Sequence, residues 1–122
     1  MRSILPVSVC FLAAMLATPA HAHAFLDHAA PKVGSTVAHA PRELRLWFTE
    51  ALEPAFSSAQ VRDGAKRRVD SRDTHVDPND PAVLIVPVPP LPAGTYTVTW
   101  RVVARDTHRT EGHFAFTVSP HR

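Results

Sequence analysis

The chain has very little sulfur. Its 122 residues include one cysteine, Cys10, and two methionines, Met1 and Met15, all within the first 15 positions. If this segment is removed as an export leader, the remaining chain has no disulfide, and its stability must come from packing. It also has no thiolate or thioether to bind a soft metal ion.

The chain also lacks an apolar run long enough to cross a bilayer as a permanent helix. Residues 4–16 are mostly apolar and follow Arg2, and Ala20-His21-Ala22 supplies the small residues that a signal peptidase reads. This pattern predicts a signal peptide at residues 1–22 and one exported, soluble domain at residues 23–122, with no membrane insertion after cleavage. Cuts after Ala20 or Ala24 satisfy the same rule, and Phe25 would come first in the latter case.

A strong excess of charge of one sign is absent as well. The formal net charge is +2 at pH 7, and the only basic run is Lys66-Arg67-Arg68. Such a short run is more typical of a solvated hairpin turn than of a nucleic-acid patch. We therefore expect no nucleic-acid partner, and we expect a monomer.

Short alternating apolar runs take the place of helical periodicity. The clearest is at 95–104, where Tyr96, Val98, Trp100 and Val102 share one face of a predicted strand. The other predicted strands are 25–29, 43–49, 58–63, 66–70, 82–88 and 113–118. Seven strands in about 100 residues predict an all-β fold, a single seven-stranded Greek-key β-sandwich of the Ig-like or cupredoxin-like kind.

Strand count also predicts which segments meet. Consecutive strands of an antiparallel sandwich run to opposite ends, so every second connection lies at the same end. The mature N-terminus, Glu50, the 71–82 loop and the 105–112 loop are therefore expected at one end of the sandwich.

Asp106 and His108 are the first candidates for chemistry. In an extended segment, two residues at this spacing point the same way, so both could bind one ion. The alternative is a loop in which Asp106 caps a turn and His108 is solvated. If His23 comes first in the mature chain, it adds its imidazole and an α-amine, whose ordinary pKa is about 7.7–8.0.

Three nitrogens and one oxygen in a tetragonal arrangement suit Cu(II), whereas zinc prefers a tetrahedron. We therefore expect one Cu(II) per chain, with an affinity that falls as the pH drops through about 6.5, where imidazole protonates. Without methionine or cysteine in residues 23–122, no Cu(I) site is expected.

Other histidines are weaker candidates. His28 is too far along the first strand to share an ion with His23 and is expected on the strand surface. His39 is expected at the opposite end, and His113 is expected to start the last strand near the site. Asp73 and His75 repeat the RDTH motif of residues 105–108, so they could form an auxiliary site or contact a partner.

The sequence resembles the CopC-type periplasmic copper-binding proteins over essentially the whole mature chain. The likeness rests on the histidine-first start with a turn at 31–34, on "LRLWFTEALEPAFS", and on "PLPAGTYTVTWRVVARDTH" followed by "EGHFAFTV". It implies that the N-terminal histidine and the Asp-x-His motif, here His23, Asp106 and His108, bind Cu(II). It also implies that Glu50 lies beside the site, as a weak axial ligand or as an acceptor for the N–H of a ligand.

This resemblance implies a role in copper homeostasis or resistance. The protein would sequester copper in the periplasm, or pass it to a CopD-like copper transporter of the inner membrane, and it would not be an enzyme. The methionine-rich loop of members with a Cu(I) site is absent, and the family's Gly-His-Pro is here Thr107-His108-Arg109. Two alternatives stay open: a copper monooxygenase with an N-terminal histidine, and a metal-free structural or interaction module.

Overall fold

The computed structural model describes Ser3 and residues 24–120. The predicted cleavage site and His23 lie outside the described residues, as does all of the 1–22 leader except Ser3. The part of the chain that is described includes no helix with the length and hydropathy needed to cross a membrane.

Eight strands form two four-stranded sheets. They are β1 (Leu26–Ala30), β2 (Thr36–Val37), β3 (Glu43–Phe48), β4 (Ser58–Arg62), β5 (His75–Asp77), β6 (Asp80–Pro87), β7 (Gly94–Val103) and β8 (Arg109–Val118). A one-turn 3₁₀ helix, Pro54–Phe56, lies between β3 and β4. The first sheet has the order β1-β3-β6-β5 and the second the order β2-β8-β7-β4. The all-β sandwich is confirmed, with eight strands rather than seven.

The core forms between the inner faces of the two sheets, as the alternation predicts. Tyr96, Val98, Trp100 and Val102 of β7 are all buried. The predicted inward residues of β3 and β8 are buried too: Leu44, Leu46, Phe48, Phe114, Phe116 and Val118. Phe48 and Trp100 join the sheets edge to face, with ring centroids 5.2 Å apart.

The strand predicted at 66–70 does not form, because a side chain replaces its backbone partner. Only an isolated bridge joins Arg68 to Arg62. The Val61 amide donates to Oδ1 of Asp70 over 2.9 Å instead of to a backbone carbonyl. The Asp70 carboxylate therefore ends the backbone pairing of this hairpin after one bridge. The chain then crosses to the other sheet, where the Ser71 amide donates to the Pro87 carbonyl.

The return to the opposite end is made by β5, which the alternation pattern did not predict. β5 pairs with β6 in the first sheet, with His75 opposite Ile85. The expectation that all of the 71–82 loop lies at the end of Glu50 is therefore wrong for its first residues, since Ser71 lies beside Pro87. It is correct for the turn between β5 and β6, because the Leu52 amide donates to the Pro81 carbonyl.

We call the end that carries Ala24, residues 49–52 and residues 104–109 the upper end. Three backbone hydrogen bonds fix it: Thr49 to Phe25, Leu52 to Pro81 and Arg105 to Ala51. The lower end carries residues 62–71, residues 87–94 and the end of β8. The strand-count argument is thus confirmed for Glu50 and for the connection between β7 and β8, although this connection is shorter than predicted because β8 begins at Arg109.

Candidate metal centre

Asp106 and His108 lie in the tight turn between β7 and β8. The Thr107 amide donates to the Ala104 carbonyl over 2.8 Å, and the Ala104 amide donates to the His108 carbonyl over 3.0 Å. Thr107 adopts a φ of 73°, in the left-handed region that non-glycine residues rarely occupy. The turn is therefore not the extended segment that the spacing argument assumed.

The two side chains nevertheless meet. Oδ1 of Asp106 accepts the backbone N–H of His108 at 3.1 Å, which is the turn-capping role considered as the alternative. Oδ2 of the same carboxylate lies 3.1 Å from Nδ1 of His108. One oxygen thus shapes the turn while the other faces the imidazole.

The spacing of these two atoms fits two neighbouring ligands of one metal ion. Ligand atoms about 2.0 Å from a metal and at right angles to each other lie about 2.8 Å apart, close to the observed 3.1 Å. Both side chains are accessible, with exposed fractions of 44% for His108 and 38% for Asp106. The turn is therefore open to solvent, although the Nδ1 atom of His108 is itself buried.

Glu50 and Asp106 line one small pocket at the upper end. The pocket has a volume of about 230 Å³ and is lined by Glu50, Ala51, Ala104, Arg105 and Asp106. Its walls come from the segment after β3 and from the end of β7. Glu50 therefore lies at the same end of the sandwich as Asp106.

The described N-terminal residues lie at the same end. Ala24 is fully buried, and its carbonyl accepts the hydroxyl of Thr110 at 2.5 Å. Thr110 is two residues beyond His108, so the chain that leads to position 23 reaches the upper end beside β8. No local pattern in the sequence marks Thr110, because its contact with Ala24 spans 86 residues.

Within residues 24–120, no three His, Cys, Asp or Glu side chains are grouped closely enough to hold a metal ion. The pair of Asp106 and His108 supplies one oxygen and one nitrogen donor. A tight site at this turn therefore needs further ligands from elsewhere in the chain.

The other histidines among residues 24–120 are not brought to this turn. His28 lies on the surface of β1 as predicted, stacked on Trp47 with ring centroids 4.4 Å apart. His75 begins β5, where its Nδ1 lies 2.8 Å from the Asp73 carbonyl oxygen. His113 is exposed opposite Thr99, in the middle of β8 rather than at its start as predicted.

Comparison with known proteins supports a common fold and ancestry. Residues 26–119 match a family model described as the CopC domain. The chain is 36% identical over 113 residues to protein YobA of Escherichia coli K12, with 91% of each chain covered. It is 39% identical over 110 residues to copper resistance protein C of Escherichia coli, covering 84% of this chain and 86% of the relative.

A solved structure shares this fold. The crystal structure of CopC from Methylosinus trichosporium OB3b superposes with a TM-score of 0.77 at 35% sequence identity. The match covers 82% of this chain and 97% of that protein. Fold and sequence likeness therefore extend over the whole sandwich, including the turn of Asp106 and His108.

Proposed function

The chain belongs to the CopC family, and from this premise we propose that it is an exported Cu(II)-binding protein of copper homeostasis or resistance. Cleavage after Ala22 would make His23 the first residue. Copper would then bind to the α-amine and imidazole of His23, to the Asp106 carboxylate and to the His108 imidazole, with one ion per chain.

The observation that carries this proposal is the contact between Asp106 and His108 at the upper end. Ala24 lies at the same end, tied to Thr110. Consecutive Cα atoms are about 3.8 Å apart, so a ligand at position 23 would start close to this turn. The two donors that the turn supplies become four when the terminal amine and imidazole of His23 are added.

Glu50 has a supporting role in this proposal. Glu50 lines the same pocket as Asp106, which supports a role as a weak axial ligand or as an acceptor for an N–H of a bound ligand. It also adds negative charge beside a dication. Residues 23–122 contain no methionine or cysteine, so the site would favour Cu(II) over Cu(I) and would release copper on reduction.

The proposed location is the periplasm, where the protein would sequester copper or pass it to a CopD-like copper transporter of the inner membrane. We propose a binding role rather than catalysis. A carboxylate among the equatorial ligands leaves little room for dioxygen, which argues against the alternative of a copper monooxygenase.

The test begins with N-terminal sequencing of the exported protein, where His23 is the expected first residue. Calorimetric titration of this form should show one equivalent of Cu(II), bound far more weakly at pH 5 than at pH 7.5. Substitution His108→Ala should weaken binding by at least about 100-fold, because it removes a ligand rather than an outer partner.

The matched control is His75→Ala, which removes the histidine of the other RDTH motif and should leave the affinity unchanged. Equal losses in both variants would contradict the ligand assignment. A terminus at Phe25, or a copper spectrum unaffected by acetylation of the terminal amine, would contradict the proposed chelate. Reductant-dependent production of oxidised sugar would favour the monooxygenase alternative.

A further inference from the structure

Two threonines hold residues 24 and 25 from opposite sides of the sandwich. Thr49 follows β3 of the first sheet, and its Oγ1 accepts the Phe25 N–H at 3.0 Å. The Thr49 amide in turn donates to the Phe25 carbonyl over 2.9 Å. Thr110 belongs to β8 of the second sheet, and its hydroxyl donates to the Ala24 carbonyl over 2.5 Å. The N-terminal segment is thus bonded to both sheets.

This attachment depends on the backbone and on a small side chain. The Ala24 side chain is completely buried, whereas 55% of Phe25 is exposed. The Phe25 ring is thus only partly covered by the rest of the protein. The three hydrogen bonds and the buried methyl group of Ala24 hold the segment in place.

Each threonine is close in sequence to a residue of the proposed copper site. Thr49 directly precedes Glu50, and Thr110 is two residues beyond His108. The hydrogen bond from the Ala104 amide to the His108 carbonyl is followed directly by the pairing of β7 with β8. His108 and Thr110 therefore belong to one hydrogen-bonded β-hairpin. The contacts that fix Ala24 are therefore rigidly linked to the contacts that fix the other ligands.

We propose that Thr49 and Thr110 are positioning residues for the N-terminal copper ligand. This inference rests on the proposed function and extends it. A free chain end samples many conformations, and ordering it on binding reduces affinity. The two hydroxyls order residues 24 and 25 before copper arrives, so only residue 23 has to be arranged when the amine and imidazole bind.

The test uses Thr49→Val and Thr110→Val, which keep the shape of the side chain and remove the hydroxyl. Each should weaken Cu(II) binding by the mature protein about fivefold to tenfold, the equivalent of one hydrogen bond. Thr49→Ser and Thr110→Ser should restore the affinity. Thr99→Val is the matched control, because Thr99 is exposed on β7 and faces His113; it should bind copper like the wild type.

A second measurement uses the protein without copper. Amide hydrogen exchange at Phe25 should be faster in Thr49→Val than in the wild type, while exchange in β3 and β8 stays unchanged. The electron paramagnetic resonance spectrum of copper-loaded Thr110→Val should show a mixed population with fewer nitrogen ligands. Faster exchange at Phe25 shows that the hydroxyl orders the segment, and the changed copper spectrum separates positioning of the ligand from a purely structural role.

The positioning role is overturned if both valine variants bind copper with wild-type affinity and spectrum, or if Phe25 exchanges equally fast in all proteins. If a valine variant fails to fold, the serine variant at the same position is measured instead. Because serine keeps the hydroxyl, a copper affinity that differs from that of the wild type would then contradict the positioning role. If His108→Ala binds copper as well as the wild type, the proposed function fails instead. Hydrogen exchange separates a failure of the positioning role from a failure of the proposed function, because it is measured without copper.

Discussion

Two aspartate side chains in this protein accept backbone N–H groups and so shape the chain locally. Asp106 uses one carboxylate oxygen to shape the turn and faces His108 with the other. Asp70, whose side chain is fully inaccessible, accepts the Val61 amide in place of a strand partner. It also accepts two N–H groups of Arg68, over 2.9 Å and 3.1 Å. Removing either carboxylate would therefore disturb the backbone as well as the local charge.

Substitution Asp70→Asn should destabilise the protein by about 1.5–3 kcal/mol at pH 7, because the charged hydrogen bonds from Arg68 lose their anionic acceptor. Burial raises the pKa of Asp70, but the hydrogen bonds from Arg68 and Val61 outweigh it and hold the pKa below its ordinary value. The stabilisation is therefore complete above the unfolded-state pKa of about 3.9 and is lost as the pH falls through the folded-state pKa.

Urea denaturation between pH 3 and pH 7 measures this effect. The difference in the free energy of unfolding between the wild type and Asp70→Asn should become smaller near pH 3. Asp73→Asn changes an exposed carboxylate in the same segment and should have little effect. A constant gap from pH 3 to pH 7 would show that the Asp70 charge does not contribute.

At the scale of elements, the pairing of β7 with β8 is the longest in the fold and carries the turn of Asp106 and His108. It runs from Gly94 opposite Val118 to Val103 opposite Arg109. Trp100 of β7 lies directly over Gly112 of β8. A Cβ at position 112 would lie 2.5 Å from Cζ2 of Trp100, which is closer than any non-bonded contact allows. The indole thus requires glycine at this register position.

Gly112→Ala should destabilise the fold by about 1–3 kcal/mol, because the buried indole has to move into a packed core. Thermal unfolding should show a midpoint lower by at least about 4 °C. Gly64→Ala is the matched control, since nothing lies within 4 Å of a Cβ at position 64. An equal decrease in the thermal midpoint of both variants would contradict the role of the contact with Trp100.

At the scale of the whole molecule, the fold separates charges that the sequence intersperses. The upper half carries seven acidic residues: Asp27, Glu50, Glu53, Asp77, Asp80, Asp106 and Glu111. Its described basic residues are three: Arg101, Arg105 and Arg109. Arg45, which pairs with Asp77 of this half and Glu43 of the other, and Asp73, which precedes β5, lie between the two halves. The half that bears the proposed copper site is therefore negative.

The lower half has the opposite balance. Its seven basic residues are Lys32, Arg42, Arg62, Lys66, Arg67, Arg68 and Arg72. Its acidic residues are Glu43, Asp63 and Asp70. The net charge is small, but the negative charge is concentrated at the upper end and the positive charge at the lower end. The negative upper end would attract a divalent cation.

Copper capture by the mature protein should therefore slow as ionic strength rises, because salt screens the field of the upper end. Glu53→Gln should slow association by about twofold or less at low ionic strength. Glu43→Gln changes the net charge equally at the lower end and should have a smaller effect. Stopped-flow rates measure this, and equal rates for both variants at low salt would show that the charge separation does not steer copper.

The sequence by itself determined the strand faces and the end at which the functional segments meet. Alternation of side chains along β3, β7 and β8 is a local property, since neighbouring residues of a strand face opposite sides. Counting strands needs no knowledge of their partners, so Glu50 could be assigned to the same end as the Asp106 turn. The pair of Asp106 and His108 was visible in the sequence, although the extended geometry assumed for it was wrong.

Only the tertiary structure decided features that depend on contacts between distant residues. The carboxylate of Asp70 ended one predicted strand, and β5 formed because β6 offered it an edge. A left-handed Thr107, rather than an extended segment, brought Asp106 to His108. The bond between Thr110 and Ala24 and the separation of charge likewise arise only after the sheets have packed, because no local pattern encodes which distant residues will become neighbours.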